Sequence, residues 1–479
     1  YNEKVPTLRT QLLTAQQQLS TLNFSVIILI SGVDGGGKGE VINLLNEWLD
    51  PRFMRTNAYD SSSDEEKERP KFWRFWRTMP AKGTIGIYVG SWYSDPIAQR
   101  VHKDTKEADL QLQLTQIKQL EQELADDGTL IIKCWLHLKK DQQKKRLKLL
   151  ENNPETAWQV TNRDKKHLKI YDDFARVAET VLKETSSTQN PWRIIDGSDI
   201  RYSSLTVGQR VLDKIKAHIA AHELKQSMPV PTRSAPIIHG NQPKILDSLD
   251  LSLELDKKDY NEKLKFYQGK LNKLARYAHQ KKTSSVLVFE GWDAGGKGGA
   301  IRRLTRALDS RNYQVIPIAA PTDEEQVQHY LWRFWRHMSR AGRITIYDRS
   351  WYGRVLVERV EGFASEQEWT RAYSEITNFE KSLTDHGIVL LKFWLHIDPD
   401  EQLRRFKERE KISYKQHKIT EEDYRNRDKW AEYSLAVNDM VAHTSSQKTS
   451  WTLVEANNKR YARIKFIKTY CEALEKALD

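Results

Sequence analysis

The chain has 479 residues, 39% of them hydrophobic and 15 of them tryptophan, which excludes a disordered chain and leaves room for two or three domains with cores of their own. Lys and Arg number 77 against 65 Asp and Glu, a net charge of +12 that suits a polyanionic partner: nucleic acid, an anionic membrane surface or a phosphate chain. The longest apolar run, residues 26–30, is far too short to cross a bilayer, and Cys134 and Cys471 follow no metal- or disulfide-like pattern, so the expected setting is reducing and cytoplasmic with no membrane partner.

Residues 4–22 are polar with helical periodicity and are expected to pack outside the first domain. A glycine-rich loop follows an apolar run: Gly32-Val33-Asp34-Gly35-Gly36-Gly37-Lys38-Gly39. Then come Trp73-Arg74-Phe75-Trp76-Arg77, Ser91-Trp92-Tyr93 and Trp135-Leu136-His137. Each returns 259 residues later, as Lys38 does in Lys297 (297 − 38 = 259). Asn162-Arg163-Asp164 returns as Asn426-Arg427-Asp428, 264 on, which marks a local insertion; Trp192 returns as Trp451, at 259 again. A repeat in constant register is one domain present twice. The expected domains are 1–226 and 251–479, joined by 227–250, whose Pro229, Pro231, Pro236, Pro243 and Gly240 read as a semi-rigid linker.

In the second half, 255–279 repeats the polar helical opening. Strands are expected at 286–289, 314–319, 344–347, 388–397 and 451–454, and helices at 298–308, 324–339, 366–385, 400–411 and 423–443. That alternation predicts an α/β fold, a parallel sheet flanked by helices, with ligands at the carboxyl ends of the strands.

Gly291-Trp292-Asp293-Ala294-Gly295-Gly296-Lys297-Gly298 lies between the first of these strands and the first helix, the context a phosphate-binding P-loop requires. Loop N–H groups and the helix N-terminus attract an anion, and Lys297 adds a full charge. The spacing matches Walker A, but Gly298 stands where a Mg²⁺-binding hydroxyl is expected, so the metal needs another ligand, for which Asp293 is the candidate. Asp348 ends an apolar run at the Walker B position, followed by Arg349, which can grip a phosphate. Arg333, Arg336 and Arg340 are spaced for one helix face toward anionic substrate, with a solvated cationic face as the bland reading. Arg354 and Arg359 follow. Between 398 and 428 lies the position of a phosphate lid, yet acids and bases number nine each there, so only position supports a lid.

These residues together resemble the family-2 polyphosphate kinases. The P-loop, the Trp332-Arg333-Phe334-Trp335-Arg336 box and Tyr347-Asp348-Arg349-Ser350-Trp351-Tyr352-Gly353-Arg354-Val355 carry the resemblance, which covers nearly the whole chain. The duplicated layout is similar to the two-domain members, the polyphosphate:AMP phosphotransferases. The resemblance implies two tandem P-loop kinase domains of thymidylate-kinase-like fold, and Mg²⁺ dependence; the oxygen ligands of Asp293 and Asp348 would also accept Mn²⁺. It also implies phosphoryl transfer from inorganic polyphosphate to AMP, giving ADP. The required residues map to Asp293, Lys297, Asp348 and Arg349, with Asp293 and Asp348 on the metal. Gly291, Ala294, Gly295, Gly296 and Gly298 then hold phosphate. The arginines at 333, 336, 340 and 354, and the lid arginines Arg404 and Arg405, are expected at substrate.

The first half keeps the loop but reads Tyr88-Val89-Gly90-Ser91 where the second reads Tyr347-Asp348-Arg349-Ser350. Its expected state is a degenerate, inactive copy, persisting for packing or for holding a long anionic chain. An ATP-dependent nucleotide kinase on the same fold and a non-enzymatic nucleic-acid-binding protein stay as alternatives; Gly298 counts against the first, and the paired loop and Asp348 against the second, so no nucleic-acid partner is expected. The duplication suggests halves packed as a pseudo-dimer and leaves homo-oligomerisation open.

Overall fold

The structure is a computed structural model that describes residues 1–227, 245–411 and 421–479. Most of the expected linker and the insertion near 412–420 lie outside the described residues. Among the described residues, 1–62, 74–227 and 322–329 form one compact unit, and 63–73, 245–321, 330–411 and 421–479 form the other. Each half of the chain therefore lends a short segment to the unit built mainly from the other half.

The first unit holds β1 (Val26–Gly32), β2 (Met54–Ala58), β3 (Ile85–Val89), β4 (Leu130–His137) and β5 (Trp192–Asp196), all parallel, in the order β2-β3-β1-β4-β5. The second holds β6 (Ser285–Gly291), β7 (Tyr313–Pro317), β8 (Ile344–Asp348), β9 (Val389–His396) and β10 (Trp451–Glu455), paired as β10-β9-β6-β8-β7, the same order read from the other end. β1 and β6 are central strands covered on both faces, so they read as continuous apolar runs rather than alternating ones: Val26 to Ile30 and Val286 to Phe289 are all buried. The chain crosses to opposite sides of the central strand through β8 and β9, which places a crevice at the carboxyl end of β6. Among the described residues no helix is long and apolar enough to cross a membrane.

The expected strands are all present within a residue or two, and 366–385 is a helix from a capping Ser365 to Asp385. Two expected helices are corrected. The single helix at 324–339 is two short ones, Asp323–Gln326 and Trp332–Trp335. The chain passes from one unit to the other between His329 and Tyr330, in the stretch that separates the two helices. The helix at 423–443 breaks at Lys429 into Glu421–Asp428 and Trp430–Thr444; Lys429 leaves the helical line with its ammonium 2.9 Å from Glu361.

The lent segments are tied in. In the second unit Arg69 Nε donates to Met338 O at 2.9 Å, and Arg340 Nε donates to Glu68 Oε2 at 2.6 Å. In the first unit Lys82 N–H donates to Val327 O at 2.8 Å. Each unit also buries one ion pair: Lys392 Nζ lies 2.8 Å from Glu380 and donates to Tyr352 Oη at 2.9 Å, and Lys133 lies 2.7 Å from Glu121 beside Tyr93. The repetition of this pair in both units assigns it to the fold rather than to chemistry.

Candidate active site

β6 runs into the loop and the loop into the helix Lys297–Thr305. Two glycines make the turn. Gly291 has φ 149°, and a Cβ there would stand 2.6 Å from Leu395 O; Gly296, at φ 112°, caps the helix. Lys297 Nζ donates to Gly291 O at 2.5 Å and Trp292 O at 3.3 Å, so the ammonium lies along the loop. Burial lowers its pKa, and Asp293 opposes that.

β8 lies beside β6 with Phe289 opposite Asp348, which brings Asp348 and Arg349 to the loop. Arg349 N–H donates to Phe289 O at 3.1 Å, and its guanidinium donates to Asp293 Oδ1 at 3.2 Å. Asp293 Oδ2 accepts from Asn426 Nδ2 at 3.0 Å. Asn426 comes from the helix Glu421–Asp428, which the parallel stack of Trp430 on Trp292, 3.6 Å between centroids, fastens over the loop. The lid position read from the sequence is therefore occupied by a helix that reaches Asp293.

A cleft of about 680 Å³ collects the loop residues, Asp348 and Arg349. Arg405 lines it too, and five other cations join it: Arg302, Arg303, Arg409, Lys459 and Arg463. None of these five was expected at substrate. A signal was available, because the positions 259 earlier are Asn43, Leu44, Leu150, Ile200 and Ser204. Every one of the five charges is confined to the second half.

The expected arginines divide. Arg333, Arg336 and Arg340 do not share a helix face, because the helix ends at Trp335. Arg340 is ion-paired with Glu68. Arg336 lies 4.7 Å over the Trp332 ring. Arg354 sits 3.2 Å from Glu358 and 4.5 Å over Tyr330; with Arg333 it counters the Glu358 carboxylate, whose pKa burial raises. None of these four lines the cleft, nor does Arg404, which pairs with Glu401 and Glu408. Arg405 does line the cleft, but its donors are taken by other partners. Its side chain is 2% exposed, and it donates to Ala294 O, Gly295 O, Ala456 O and Asn457 O while pairing with Glu401. It holds the loop from beneath; a guanidinium spent on four backbone carbonyls has no donors to offer a substrate above.

In the first unit Lys38 Nζ donates to Gly32 O at 3.0 Å and Val33 O at 2.9 Å, as Lys297 does in its own loop. Asp34 Oδ2 meets His167 Nδ1 at 2.5 Å. Gln143 supports the loop as Gln402 does, Gln143 donating to Asp34 O and Gln402 to Asp293 O, while Arg146 donates to Gly197 O and pairs with Glu40. Val89 and Gly90 stand where Asp348 and Arg349 stand. The scaffold of the loop is kept, and the carboxylate of Asp348 and the guanidinium of Arg349 have no counterpart.

The family model of Polyphosphate kinase 2 matches residues 1–223 and 254–479. The chain is 49% identical over 478 residues to a polyphosphate:AMP phosphotransferase of Pseudomonas syringae pv. tomato, covering 100% of this chain and 96% of that protein. It is 39% identical to one of Acinetobacter johnsonii, over 95% of this chain and 92% of the other. A crystal structure assigned to polyphosphate kinase 2 from Pseudomonas aeruginosa superposes with a TM-score of 0.88 at 48% identity, over 100% of this chain and 96% of that one.

Proposed function

The chain belongs to the polyphosphate kinase 2 family, and we propose that its second half transfers a phosphoryl group from inorganic polyphosphate to AMP, giving ADP, while its first half is a degenerate copy without that activity. One observation carries the reading. Asp293, Lys297, Asp348 and Arg349 line a single cleft with Arg405 and five more cations, and of these ten side chains the first half retains only Asp34, Lys38 and Arg146. A row of cations beyond the loop suits a donor with many phosphates better than a single nucleotide triphosphate.

The donor set fits a divalent cation of the Mg²⁺ kind. Such an ion takes one or two protein carboxylates and completes its octahedron with phosphate oxygens and water. Asp293 and Asp348 are those two carboxylates, and among the described residues no larger cluster competes for a metal. Bound there, Mg²⁺ neutralises charge on the transferred phosphate and its neighbours.

The residues of the chain do the rest. Lys297 and the N–H groups at the start of its helix hold the phosphate chain at the loop. Arg349, paired with Asp293 at the cleft, meets the charge that develops on the transferred group. Arg302, Arg303, Arg409, Lys459 and Arg463 keep the remaining chain in place, so the reacting phosphate is delivered in line. The AMP phosphate is already ionised, so no strong general base is needed, and Asp293 can orient the nucleophile. Asn426 and Trp430 close over the loop and exclude water from the transfer.

The test is ADP formation from AMP with polyphosphate or with ATP as donor, in the presence of Mg²⁺. Activity with polyphosphate alone supports the reading. Equal activity with ATP would make this an ATP-dependent nucleotide kinase, and none with either donor would leave the phosphotransferase reading without a basis.

A further inference from the structure

Beneath the phosphate loop lies a third carboxylate. Glu290, next to last in β6, is 5% exposed. Ser350 Oγ donates to its Oε1 at 2.7 Å. Burial raises its pKa; Ser350, Lys297 and Arg349 work against that, and Asp348 adds to it. Its surroundings are thus the charged groups of the proposed site, approached from below.

The first half is an internal control. The residue 259 earlier is Ser31, on β1, paired with Trp135 as Glu290 is paired with Trp394. The sheet order, the register and the loop lysine are the same in both units, so the fold does not require a carboxylate here. It occurs in the unit that also has Asp348 and Arg349.

The backbone says what it does there. Arg349 has φ 65°, a left-handed conformation that a residue with a Cβ adopts only when its neighbours hold it. β6 grips it on both sides: Phe289 O takes the Arg349 N–H, and the Glu290 carboxylate takes the Ser350 hydroxyl one residue on. Gly90, at φ 66° in the first unit, takes the same turn without strain. There Ser31 brings no charge to the turn.

We propose that Glu290 is a positioning residue, whose buried carboxylate clamps the left-handed turn through Ser350 and holds the Arg349 guanidinium and the Lys297 ammonium in place for phosphoryl transfer. The assignment rests on the reading that the Asp348–Arg349 cleft performs the transfer.

The experiment compares full-length Glu290→Gln, Glu290→Ser, Ser350→Ala and the double variant Glu290→Ser/Ser350→Ala, with Asp348→Asn alongside. Steady-state constants for AMP and polyphosphate are measured with Tm. Glu290→Gln keeps an acceptor for Ser350 but loses the charge; Glu290→Ser loses both. The expected result is a graded fall in kcat, about tenfold for Gln and more for Ser, with KM for both substrates within about threefold. Tm of Glu290→Gln stays unchanged or rises, since a buried carboxylate is replaced by a neutral acceptor. The double variant is no worse than Glu290→Ser alone, because the two groups act through one bond. A wild-type kcat in Glu290→Ser overturns the proposal, as does a fall in Tm with kcat per folded molecule unchanged. Asp348→Asn separates the two readings. If it stays active, the cleft itself is misassigned; if it is inactive while Glu290→Ser is normal, only the role of Glu290 falls.

Discussion

Arg349 and Gly90 share one left-handed backbone conformation, φ 65° and φ 66°, at equivalent places in the repeat (349 − 90 = 259). Ala294 and Gly35 repeat the relationship in the loop, at φ 59° and φ 71°. Glycine adopts this conformation freely, whereas a residue with a Cβ is destabilised by about 1–2 kcal/mol. The second half therefore carries strain at two positions of the cleft where the first half carries none. Strain of this kind persists where a side chain is needed in that one place.

Arg349→Gly follows directly. Relief of strain is offset by the greater freedom of glycine in the unfolded chain, about 0.5–1 kcal/mol. The lost pair with Asp293 counts for little, because the arginine is 51% exposed. Tm should stay within a few degrees of the parent or rise, while polyphosphate-dependent ADP formation falls by about two orders of magnitude or more. A large loss of Tm would show that Arg349 is held for the fold.

The halves should also separate under mutation. Asp348→Asn or Lys297→Ala removes a group the transition state needs and should abolish activity. Lys38→Ala should leave most of it, because its unit offers Val89 and Gly90 where carboxylate and guanidinium are required. Equal loss from Lys38→Ala and Lys297→Ala, in folded proteins, would end the division of labour.

Legibility tracked locality. The P-loop, Asp348 and the strand–helix alternation were readable because strand, turn and helix are set by neighbours in sequence. The duplication was readable because its register is nearly constant. The arginine row was misread because its spacing fits a helix, and nothing local announces that the chain changes unit at His329. Arg404 and Arg405 look alike in sequence; only tertiary burial tells a surface pair from a guanidinium under the loop. Lys459 and Arg463 stand where the first half has Ile200 and Ser204, a difference in charge that lies outside the repeated motifs.

Those two arginines give a contrast to measure. Arg405→Ala leaves the carbonyls of Ala294, Gly295, Ala456 and Asn457 without their donor, most of them buried, and should destabilise the protein by about 3 kcal/mol or more, with activity lost alongside. Arg404→Ala removes exposed pairs and should change stability by no more than about 0.5 kcal/mol. Thermal or denaturant unfolding of the two variants decides it; similar losses would mean that Arg405 does not anchor the loop.

Metal removal tests the carboxylate pair. With no hydroxyl at Gly298, the proposed site depends on Asp293 and Asp348 for its protein ligands, so excess EDTA should abolish transfer and added Mg²⁺ restore it. Mn²⁺, also an oxygen-preferring octahedral ion, should substitute. Full activity in EDTA would remove the metal from the proposal.

Lys459 makes the cleft sensitive to pH. Lys459 keeps contact with solvent, and partial desolvation at the cleft wall, with Arg405 nearby, lowers its pKa from the ordinary 10.5 to about 8. The ammonium is charged below that value and neutral above it. In the unfolded chain it keeps its proton up to the ordinary value, so between about 8 and 10.5 the unfolded state binds more protons than the folded one. Stability from this group therefore rises with pH through that window, while its hold on an anion is lost over the same range. Lys459→Met should raise KM for polyphosphate near pH 7, where the wild-type charge is present, and match wild type near pH 9.5, where it is not. The variant should also be the more stable protein near pH 7, with the difference in Tm closing as pH rises. Comparing KM and Tm of the two proteins across that range isolates Lys459 from every other group that titrates. A KM difference that does not change with pH would show that Lys459 keeps its proton throughout, or lies off the path of the chain.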